Sequence, residues 1–434
     1  MTAVMIGTIG IIIFLAIILL GTPIAIGMTV VGVIGYAILT NSAAAFKMIQ
    51  IDYFATFSSY NLSVIAMFTW MGFIAFYSGI GSRLYDFANK WIGGAPGGLA
   101  MATQLASALF GAVCGSNTAT AATIGAIALP EMKKYGYNDS LSTASVASGG
   151  ILGILIPPSM IAIVYGIATE QSIGKLFIAG IGGGILLMLL YMVAVYIWVK
   201  KDPSAAPKAQ KFTRKEKLQA LGGGLWETAL IFIVSIVALG VGWFTPTEAG
   251  GFGSILMLAV ALVRRNLTFK SFIQSLIDTG KTTAMVLLLI AGATVFGKFL
   301  AISKIPFAIA NFASNLTLPS WCVFLVIVIV YLVAGCFIDA LPLILLTIPI
   351  FYPVILNLGY DPIWFGVIIV LICGMGVITP PVGLNVYVIK GVAPDVPLEK
   401  IFKGIWPFLG AIVACIVILM MFPQIVLFLP NLMM

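Results

Sequence analysis

The chain contains no histidine, and charged residues of either sign are scarce. Only 8% of its 434 residues are charged, 14 of them acidic and 22 basic. A soluble domain carries about 25% charged residues, so this composition excludes an ordinary soluble protein. Imidazole proton relays and histidine-ligated metal sites are excluded as well. An intramembrane enzyme is disfavoured, because no carboxylate pair at catalytic spacing and no nucleophile beside a base can be picked out.

Two further absences concern the cysteines and the first residues of the chain. The five cysteines form no C-x-x-C pair and lie in apolar stretches, where we interpret them as small packing residues between helices: Cys114, Cys322, Cys336, Cys373 and Cys415. Residues 1–46 contain neither Lys nor Arg, so they lack the basic segment that opens a cleaved signal peptide. We therefore expect them to remain as membrane structure.

Apolar residues, by contrast, make up 61% of the chain. Several uncharged stretches exceed roughly 20 residues, the length that spans a bilayer as a helix. The alternating ten-residue pattern of membrane β-strands is absent. The sequence therefore predicts an all-α polytopic membrane protein with ten to twelve spans and two re-entrant hairpins.

The positive charge is concentrated in one short segment. Residues 200–217 hold seven basic and two acidic side chains. A basic segment can bind nucleic acid, but a short basic loop between membrane spans is typical of the cytoplasmic face, so no nucleic-acid partner is expected. We place residues 200–220 in the cytoplasm as a linker. Residues 1–46 and 404–434 lack basic side chains, which allows both termini to lie on the opposite face.

The chain repeats itself with a constant offset. The proline pairs Pro157-Pro158 and Pro380-Pro381 both interrupt apolar segments, and their separation recurs along the chain. The same offset relates five further pairs of positions: Thr22-Pro23 and Thr245-Pro246, Gly27 and Gly250, Pro130 and Pro353, Gly136-Tyr137 and Gly359-Tyr360, Gly153 and Gly376. We therefore divide the chain into a first repeat (residues 1–199), the linker and a second repeat (residues 221–434). An odd number of crossings in each repeat would invert one relative to the other, as in many secondary transporters.

Proline pairs inside apolar segments break helices and free backbone carbonyls near the middle of the membrane, where they can bind an ion or a substrate. A second interruption precedes each pair. It is residues 115–118, with the sequence GSNT, in the first repeat, and the lone carboxylate of Asp339 in the second. We interpret both as tips of re-entrant hairpins. Two alternatives stay open: hydroxyls bonded within a packed helix at the first tip, and Asp339 as the cap of a helix that starts near Pro342.

Two other polar residues allow a functional or a structural interpretation. Lys298 could face a carboxylated substrate, although a lysine that reaches the membrane interface is favoured. Glu248 follows Thr245 by three residues, the spacing of a helix capping box, and this structural role is favoured. Because histidine is absent and intramembrane carboxylates are few, Na⁺ bound by carbonyl, hydroxyl and carboxylate oxygens is the expected coupling ion.

The predicted site combines both tips and both breaks. We expect two pseudo-symmetric Na⁺ sites, each formed by one tip and the break in the opposite repeat. The candidate Na⁺ ligands are Ser116, Asn117, Thr118, Gly153, Pro157, Asp339, Gly376, Thr379 and Pro380. The candidate substrate contacts are Gly115, Ser116, Asn117, Pro158, Ser159, Lys298, Pro381, Val382, Gly383 and Asn385.

Several ordered motifs run through nearly the whole chain: GSNTATAATIG, LPEM-x-x-x-GY, LIPPSM-x-x-x-VYG, FTPTEAG and G-x-ITPPVG. In this order they resemble the large membrane subunit of tripartite ATP-independent periplasmic (TRAP) transporters. The resemblance implies an elevator-type transport domain with Na⁺ sites at the hairpin tips, in a bacterial inner membrane. It also implies a small four-helix membrane subunit and a periplasmic substrate-binding protein, which delivers an organic anion.

The first tip departs from the commoner pattern of that family, which reads nearer GSSAATAAAIG. Residues 114–118, with the sequence CGSNT, are bulkier and more polar. This puts a C4-dicarboxylate substrate in doubt and favours a sugar acid of the sialic-acid type. No additional four-span block precedes the first repeat, so the small subunit is expected on a separate chain. The alternative is a stand-alone Na⁺/organic-anion symporter of related inverted-repeat fold, which needs no binding protein.

Overall fold

The computed structural model describes residues 2–207, 212–315 and 319–433, and within these ranges the chain forms helices and loops without any β-strand. The predicted all-α membrane fold is confirmed. The helices that precede the linker or enter it are α1 (Ala3–Leu19), α2 (Ile24–Leu39), α3 (Ser42–Phe57), α4 (Ser63–Tyr77), α5 (Ile80–Ile92), α6 (Gly98–Cys114), α7 (Asn117–Lys134), α8 (Asp139–Leu155), α9 (Met160–Ala168) and α10 (Ile173–Lys201).

The later helices begin inside the linker. They are α11 (Arg214–Leu221), α12 (Leu225–Phe232), α13 (Ala238–Gly240), α14 (Pro246–Val263), α15 (Phe269–Ser303), α16 (Ile305–Asn315), α17 (Ser320–Gly335), α18 (Ala340–Asn357), α19 (Pro362–Gly376), α20 (Leu384–Val392), α21 (Leu398–Met421) and α22 (Gln424–Met433). A π-helical segment, Ile233–Val237, joins α12 to α13, and short 3₁₀ helices lie at Tyr60–Leu62 and Pro203–Ala205.

Fewer helices than expected have the length of a complete span. Among the described residues, seven helical segments are long and apolar enough to cross a bilayer, and the bent pair of α8 and α9 makes an eighth. Six other apolar helices reach only 10 to 17 residues. At 1.5 Å per residue, 17 residues rise only about 25 Å, short of a hydrocarbon core of about 30 Å. The larger number expected from the sequence, ten to twelve spans, counts these shorter helices as complete crossings.

The helix bounds carry the same offset as the sequence motifs. The offset that relates Pro157 to Pro380 also relates both ends of α7 to both ends of α18, and the start of α8 to the start of α19. Each repeat thus contains a helical hairpin (α6–α7 and α17–α18), followed by two helices joined at a proline pair (α8–α9 and α19–α20). We call the hairpin turns tip 1 (residues 115–116) and tip 2 (residues 336–339). The proline loops are break 1 (residues 156–159) and break 2 (residues 377–383).

Local sequence explains how the first hairpin turns. Gly115 has a left-handed backbone with φ of 70° and ends α6. Glycine adopts this conformation without the steric cost that a side chain brings. Ser116 then caps α7, because its Oγ accepts a hydrogen bond from Ala119 N at 3.3 Å. A glycine and a capping residue in succession therefore reverse the chain within a very short loop.

The breaks use proline and a second capping residue. Both proline pairs contain a cis peptide bond, Pro157–Pro158 in break 1 and Pro380–Pro381 in break 2. At break 1 the Oγ of Ser159 accepts a hydrogen bond from Ala162 N at 3.2 Å and thereby caps α9. The axes of α8 and α9 differ by 42°. The predicted interruption of an apolar segment at the first proline pair is confirmed.

Two groups of helices face each other. Within the hairpin body, which we define as α6–α9 and α17–α20, α6 and α7 pack against α8, while α20 crosses over to pack against α7 and α8. The outer bundle consists of α2, α3, α4, α14 and α15, which pack against one another. Helix α4 contacts α6, and α15 contacts α18, so the outer bundle lies beside both hairpins.

Ion pairs join the two repeats at the end of the hairpin body where α7 meets α20. Lys133, in the last turn of α7, pairs with Asp395, and Lys400 lies 3.7 Å from Asp139. The hydrogen bond from Lys133 holds the pKa of Asp395 below its usual value. The first contact fastens α7 to the loop that follows α20, and the second joins the start of α8 to the start of α21.

A buried charge cluster joins three helices near the linker. Glu227 in α12 is fully buried, and its carboxylate lies 3.0 Å from Arg83 of α5 and 2.5 Å from Arg264 at the end of α14. A carboxylate removed from water is costly unless it is paired, and two guanidinium groups compensate this one. The sequence reasoning did not single out this cluster. The three residues lie far apart in the sequence, and only the fold brings them together.

Glu248 has the structural role that its spacing predicts. Its backbone N–H donates to Thr245 Oγ1 at 3.3 Å, and its carboxylate accepts from Thr245 N at 2.8 Å. These reciprocal bonds are the capping box at the start of α14. The interpretation of Glu248 as a helix cap is confirmed.

Candidate substrate and ion site

A cavity of about 540 Å³ lies between the hairpin body and the outer bundle. Tip 1 and the first turn of α7 line one side, and tip 2 lines another. From the first repeat these lining residues are Gly115, Ser116, Asn117 and Thr118, and from the second they are Asp339, Ala340 and Leu341. The two interruptions that the sequence marks as hairpin tips therefore meet at one cavity.

Asp339 dominates the electrostatics of this cavity. It is the only charged side chain among the described residues that line it. Asp339 occupies the N-cap position of α18, but its carboxylate accepts no capping hydrogen bond. A carboxylate in a membrane site that lacks a basic partner needs a cation or a proton. The helix that follows Asp339 starts at Ala340 and not near Pro342. Because the carboxylate forms no capping bond with this helix, helix capping does not explain why a charged residue lies here.

Tip 1 presents neutral polar groups to the same cavity. Ser116 Oγ lies 3.3 Å from Thr118 Oγ1, close enough for a hydrogen bond in either direction. The side chain of Thr118 is thus bonded at the tip and not to a carbonyl one turn earlier in a packed helix. Two hydroxyls and the amide of Asn117 form a cluster of oxygen ligands of the kind that a hard cation prefers.

Each tip packs against the break in its own repeat. A Cβ atom added to Gly115 would lie 2.5 Å from Pro158 O, and one added to Gly153 would lie 2.8 Å from Ser116 O. In the second repeat, a Cβ on Gly376, the last residue before break 2, would lie 2.7 Å from the carbonyl carbon of Gly335, the last residue before tip 2. The expected pairing of each tip with the opposite repeat is therefore wrong. Elements joined by short loops pack as neighbours, and each broken helix follows its own hairpin directly.

One polar contact does cross between the repeats. Asn117 Nδ2 donates to Asn385 Oδ1 at 3.3 Å, and Asn385 Nδ2 donates to Ala147 O at 3.1 Å. Asn385 is completely buried. It lies behind tip 1, between α7 and α8, and does not line the cavity.

The other predicted residues of the breaks also lie outside the cavity lining. Ser159 and both prolines of break 1 are buried behind tip 1, and Thr379 donates its hydroxyl to Met375 O at 2.6 Å. The predicted residues that the structure does not bring to the cavity surface are Gly153, Pro157, Pro158, Ser159, Gly376, Thr379, Pro380, Pro381, Val382, Gly383 and Asn385.

Lys298 lies in a different groove of the outer bundle. Its Nζ is 2.5 Å from the carboxylate of Asp52 in α3, and its side chain is about half exposed. The groove also contains Lys47 and Tyr36, and none of its residues lines the central cavity. As a correction to the predicted substrate contacts, the structure does not place Lys298 with the tips. The ion pair with Asp52 favours a structural role at the edge of a helix bundle.

The sequence reasoning missed the wall opposite the tips. It comes from α4 and α15, and its residues are Thr69, Gly72, Phe73, Phe76, Tyr77, Thr282 and Met285. Tyr77 donates its hydroxyl to Asp278 at 2.7 Å, which joins α4 to α15. A Cβ on Gly72 would lie 2.5 Å from Cys114 O, so this glycine lets the end of α6, next to tip 1, approach α4. A lone glycine in the aromatic-rich segment of α4 was the available signal.

Paired hairpins and broken helices around one cavity, in an all-helical membrane fold, define a membrane permease. Residues 11–425 match the family described as tripartite ATP-independent periplasmic transporter, DctM component, and the chain belongs to this family. It is therefore a transporter component of the bacterial inner membrane and not an enzyme. The family that the sequence motifs indicated is confirmed.

Relatives and a solved structure agree with this assignment. The chain is 39% identical over 397 residues to the C4-dicarboxylate TRAP transporter large permease protein DctM of Pseudomonas aeruginosa, covering 91% of this chain and 92% of the relative. It is 32% identical to the sialic acid TRAP transporter large permease protein SiaM of Vibrio cholerae, covering 96% and 97%. The crystal structure of the Alcanivorax borkumensis YdaH transporter has a similar fold, with a TM-score of 0.63 at 15% identity, covering 89% and 90%.

Proposed function

We propose that this chain is the large subunit of a Na⁺-coupled secondary transporter, which imports an organic anion delivered by a periplasmic binding protein. The observation that carries the proposal is the cavity where both hairpin tips meet. It offers hydroxyl, amide and carboxylate oxygens, and its described lining has no basic side chain. An anion entering such a site needs positive charge from elsewhere, and Na⁺ bound at the tips supplies it.

The observed packing supports a proposal of two Na⁺ sites. The first combines Ser116, Asn117 and Thr118 with backbone oxygens where tip 1 meets break 1. The second combines Asp339 with backbone oxygens where tip 2 meets break 2. In both repeats the hairpin and the broken helix approach each other closely, at tip 1 itself in the first repeat and at Gly335, next to tip 2, in the second, so one ion could bind to both elements and hold them together.

Movement of the hairpin body against the outer bundle is the proposed transport step. The cavity lies between these two groups of helices, and α4 and α15 form its far wall. If the hairpin body slides along this wall, the tips carry ion and substrate from one face of the membrane to the other. The largely apolar wall, with Phe73 and Phe76, offers few polar groups that such a movement would have to desolvate.

For the substrate we propose a monoanionic, hydroxylated acid of the sialic-acid type. The relatives carry different substrate names, C4-dicarboxylate for one and sialic acid for the other. The polar tip, with two hydroxyls and an amide, suits a ligand with many hydroxyl groups. A dicarboxylate would bring a second negative charge into a cavity whose only charged lining residue, within the described part of the chain, is Asp339.

Uptake by purified protein in proteoliposomes tests this function. The chain would be reconstituted with its small membrane subunit, and labelled sialic acid and succinate would be supplied under an inward Na⁺ or K⁺ gradient. We expect sialic-acid uptake only with Na⁺ and only after the periplasmic binding protein of the system is added. Rapid uptake without a binding protein would favour the stand-alone symporter, and equal rates in Na⁺ and K⁺ would contradict Na⁺ coupling.

A further inference from the structure

A chain of hydrogen bonds leads from the interior of the hairpin body to the cavity. It starts at Ala147 O in α8, passes through the amide of Asn385 and ends at Asn117. Asn385 is completely buried, whereas 9% of Asn117 is exposed and this residue lines the cavity. The chain of bonds therefore joins a fixed backbone atom to a group that a ligand can reach.

The direction of each bond follows from the first acceptor. A carbonyl oxygen accepts hydrogen bonds and cannot donate them, so Ala147 O requires the NH₂ of Asn385. The Oδ1 of Asn385 then points to Asn117 and requires the NH₂ of that residue. The NH₂ group of the Asn117 side chain thus points inward to Asn385, and its oxygen is available to the cavity.

A glycine makes this arrangement sterically feasible. A Cβ atom on Gly150 would lie 2.8 Å from Asn117 O and 2.8 Å from Asn385 Nδ2. The Asn117 atom is its backbone carbonyl oxygen. Real Cβ atoms essentially never come so close to other heavy atoms, so only glycine leaves room here for both the α7 backbone and the side-chain amide of Asn385. The close approach of α7, α8 and α20 at this point is therefore built into the sequence.

We propose that Asn385 is a positioning residue that holds the Asn117 amide with its oxygen toward the cavity. An amide oxygen binds a cation, whereas an amide NH₂ repels Na⁺ and attracts a carboxylate. Asn385 thereby selects for a cation at tip 1 from the opposite repeat, without touching ion or substrate. This inference rests on the proposed Na⁺ coupling and assigns Asn385 a role different from substrate contact.

The test measures uptake by the reconstituted complex with its binding protein, as a function of Na⁺ concentration. In Asn385→Ala the Asn117 amide is free to turn, so the Na⁺ concentration for half-maximal uptake should rise about tenfold, equivalent to about 1.4 kcal/mol. The KM for substrate at saturating Na⁺ should change much less. Asn385→Ala combined with Asn117→Ala should be no worse than Asn117→Ala alone, because the two residues act through one ligand.

Two further variants separate positioning from a merely structural role. Asn117→Asp presents an oxygen in either orientation, so adding it to Asn385→Ala should restore Na⁺ affinity. Gln104→Ala is the matched control, because Gln104 is also a completely buried amide that donates to an α8 carbonyl, Ser145 O at 2.8 Å, but has no bond to Asn117. The control should leave the Na⁺ dependence unchanged.

Several outcomes would overturn the inference. These are an unchanged Na⁺ dependence in Asn385→Ala, an equal shift in Gln104→Ala, additive effects in the double alanine variant, or no rescue by Asn117→Asp. If Asn385→Ala fails to fold, Gly150→Ala replaces it. The added Cβ meets Asn385 Nδ2 and the backbone carbonyl of Asn117, so it displaces the Asn385 amide from α7 and should raise the required Na⁺ in the same way. The unaltered chain distinguishes the two levels of failure. Equal uptake in Na⁺ and K⁺ would refute the proposed coupling itself, whereas a Na⁺-dependent chain with unaffected variants would refute only the role of Asn385.

Discussion

The substitution Asp339→Asn removes the single charge of the described cavity lining while keeping the size of the side chain. At a separation of about 4 Å, a unit positive and a unit negative charge attract by about 1 kcal/mol in water and about 4 kcal/mol at an effective dielectric constant of about 20. Asp339 lines an open cavity, so its environment lies between these limits. Loss of the charge should weaken Na⁺ binding by at least about tenfold, or about 1.4 kcal/mol.

The assay is uptake by the reconstituted complex over a range of Na⁺ concentrations, with purification yield and thermal stability as controls for folding. Asp361→Asn is the matched variant. Asp361 is a true helix cap, with its carboxylate accepting from Ile363 N at 2.7 Å and from Trp364 N at 3.0 Å. Asparagine caps helices about as well as aspartate, so this variant should keep the normal Na⁺ dependence. If Asp339→Asn behaves like Asp361→Asn, the carboxylate of Asp339 binds no coupling ion and the reasoning fails.

Three other predictions follow from the charges and contacts. Maleimide added outside intact cells should not label a cysteine placed in residues 200–217 but should label one at the C-terminus, and the reverse pattern would refute the assumed orientation. Glu227→Gln should lower the free energy of unfolding by about 2 kcal/mol. This is less than the roughly 3–5 kcal/mol for a wholly buried pair, because the arginine partners of Glu227 reach solvent. In thermal unfolding of the purified proteins, Glu227→Gln should have a lower Tm than Asp86→Asn, which breaks a surface ion pair. Lys298→Met combined with Asp52→Asn should leave the KM for substrate unchanged, and a large increase would place Lys298 in the substrate path.

The two tips and the two breaks were predictable because each depends on local chemistry. A glycine with positive φ, a capping serine and a proline pair act over a short stretch of chain. These signals recur at one constant offset, which chance matches would not do. The boundaries of α7 and α18 repeat with that same offset, so the duplicated pattern was already visible before any tertiary contact was known.

What the repeat could not supply was the pairing between elements. An offset shows which positions are equivalent, but equivalent positions need not be in contact. The cross-repeat arrangement placed tip 1 at break 2, whereas Gly153, in the helix that leads into break 1, lies against Ser116. Chain connectivity decides this packing, since a short loop leaves the broken helix beside its hairpin. The α4 wall was not predicted for a similar reason, because the sequence alone does not show that Thr69 and Tyr77 lie beside the tips.

The two tips occupy equivalent positions but carry different chemistry, and this difference bears on the substrate. Ser116 and Asp339 are both N-cap residues, yet the hydroxyl of Ser116 accepts a capping hydrogen bond from its helix and the carboxylate of Asp339 accepts none of this kind. If each tip binds one Na⁺, two positive charges and one carboxylate leave one net positive charge in the cavity. A monoanion neutralises that charge, whereas a dicarboxylate would leave one negative charge without a partner. An uncompensated charge in such a site is costly, so the asymmetry between the tips favours a sugar acid with a single carboxylate. Succinate should therefore compete only weakly with a sialic acid for uptake, and strong competition would contradict this charge balance.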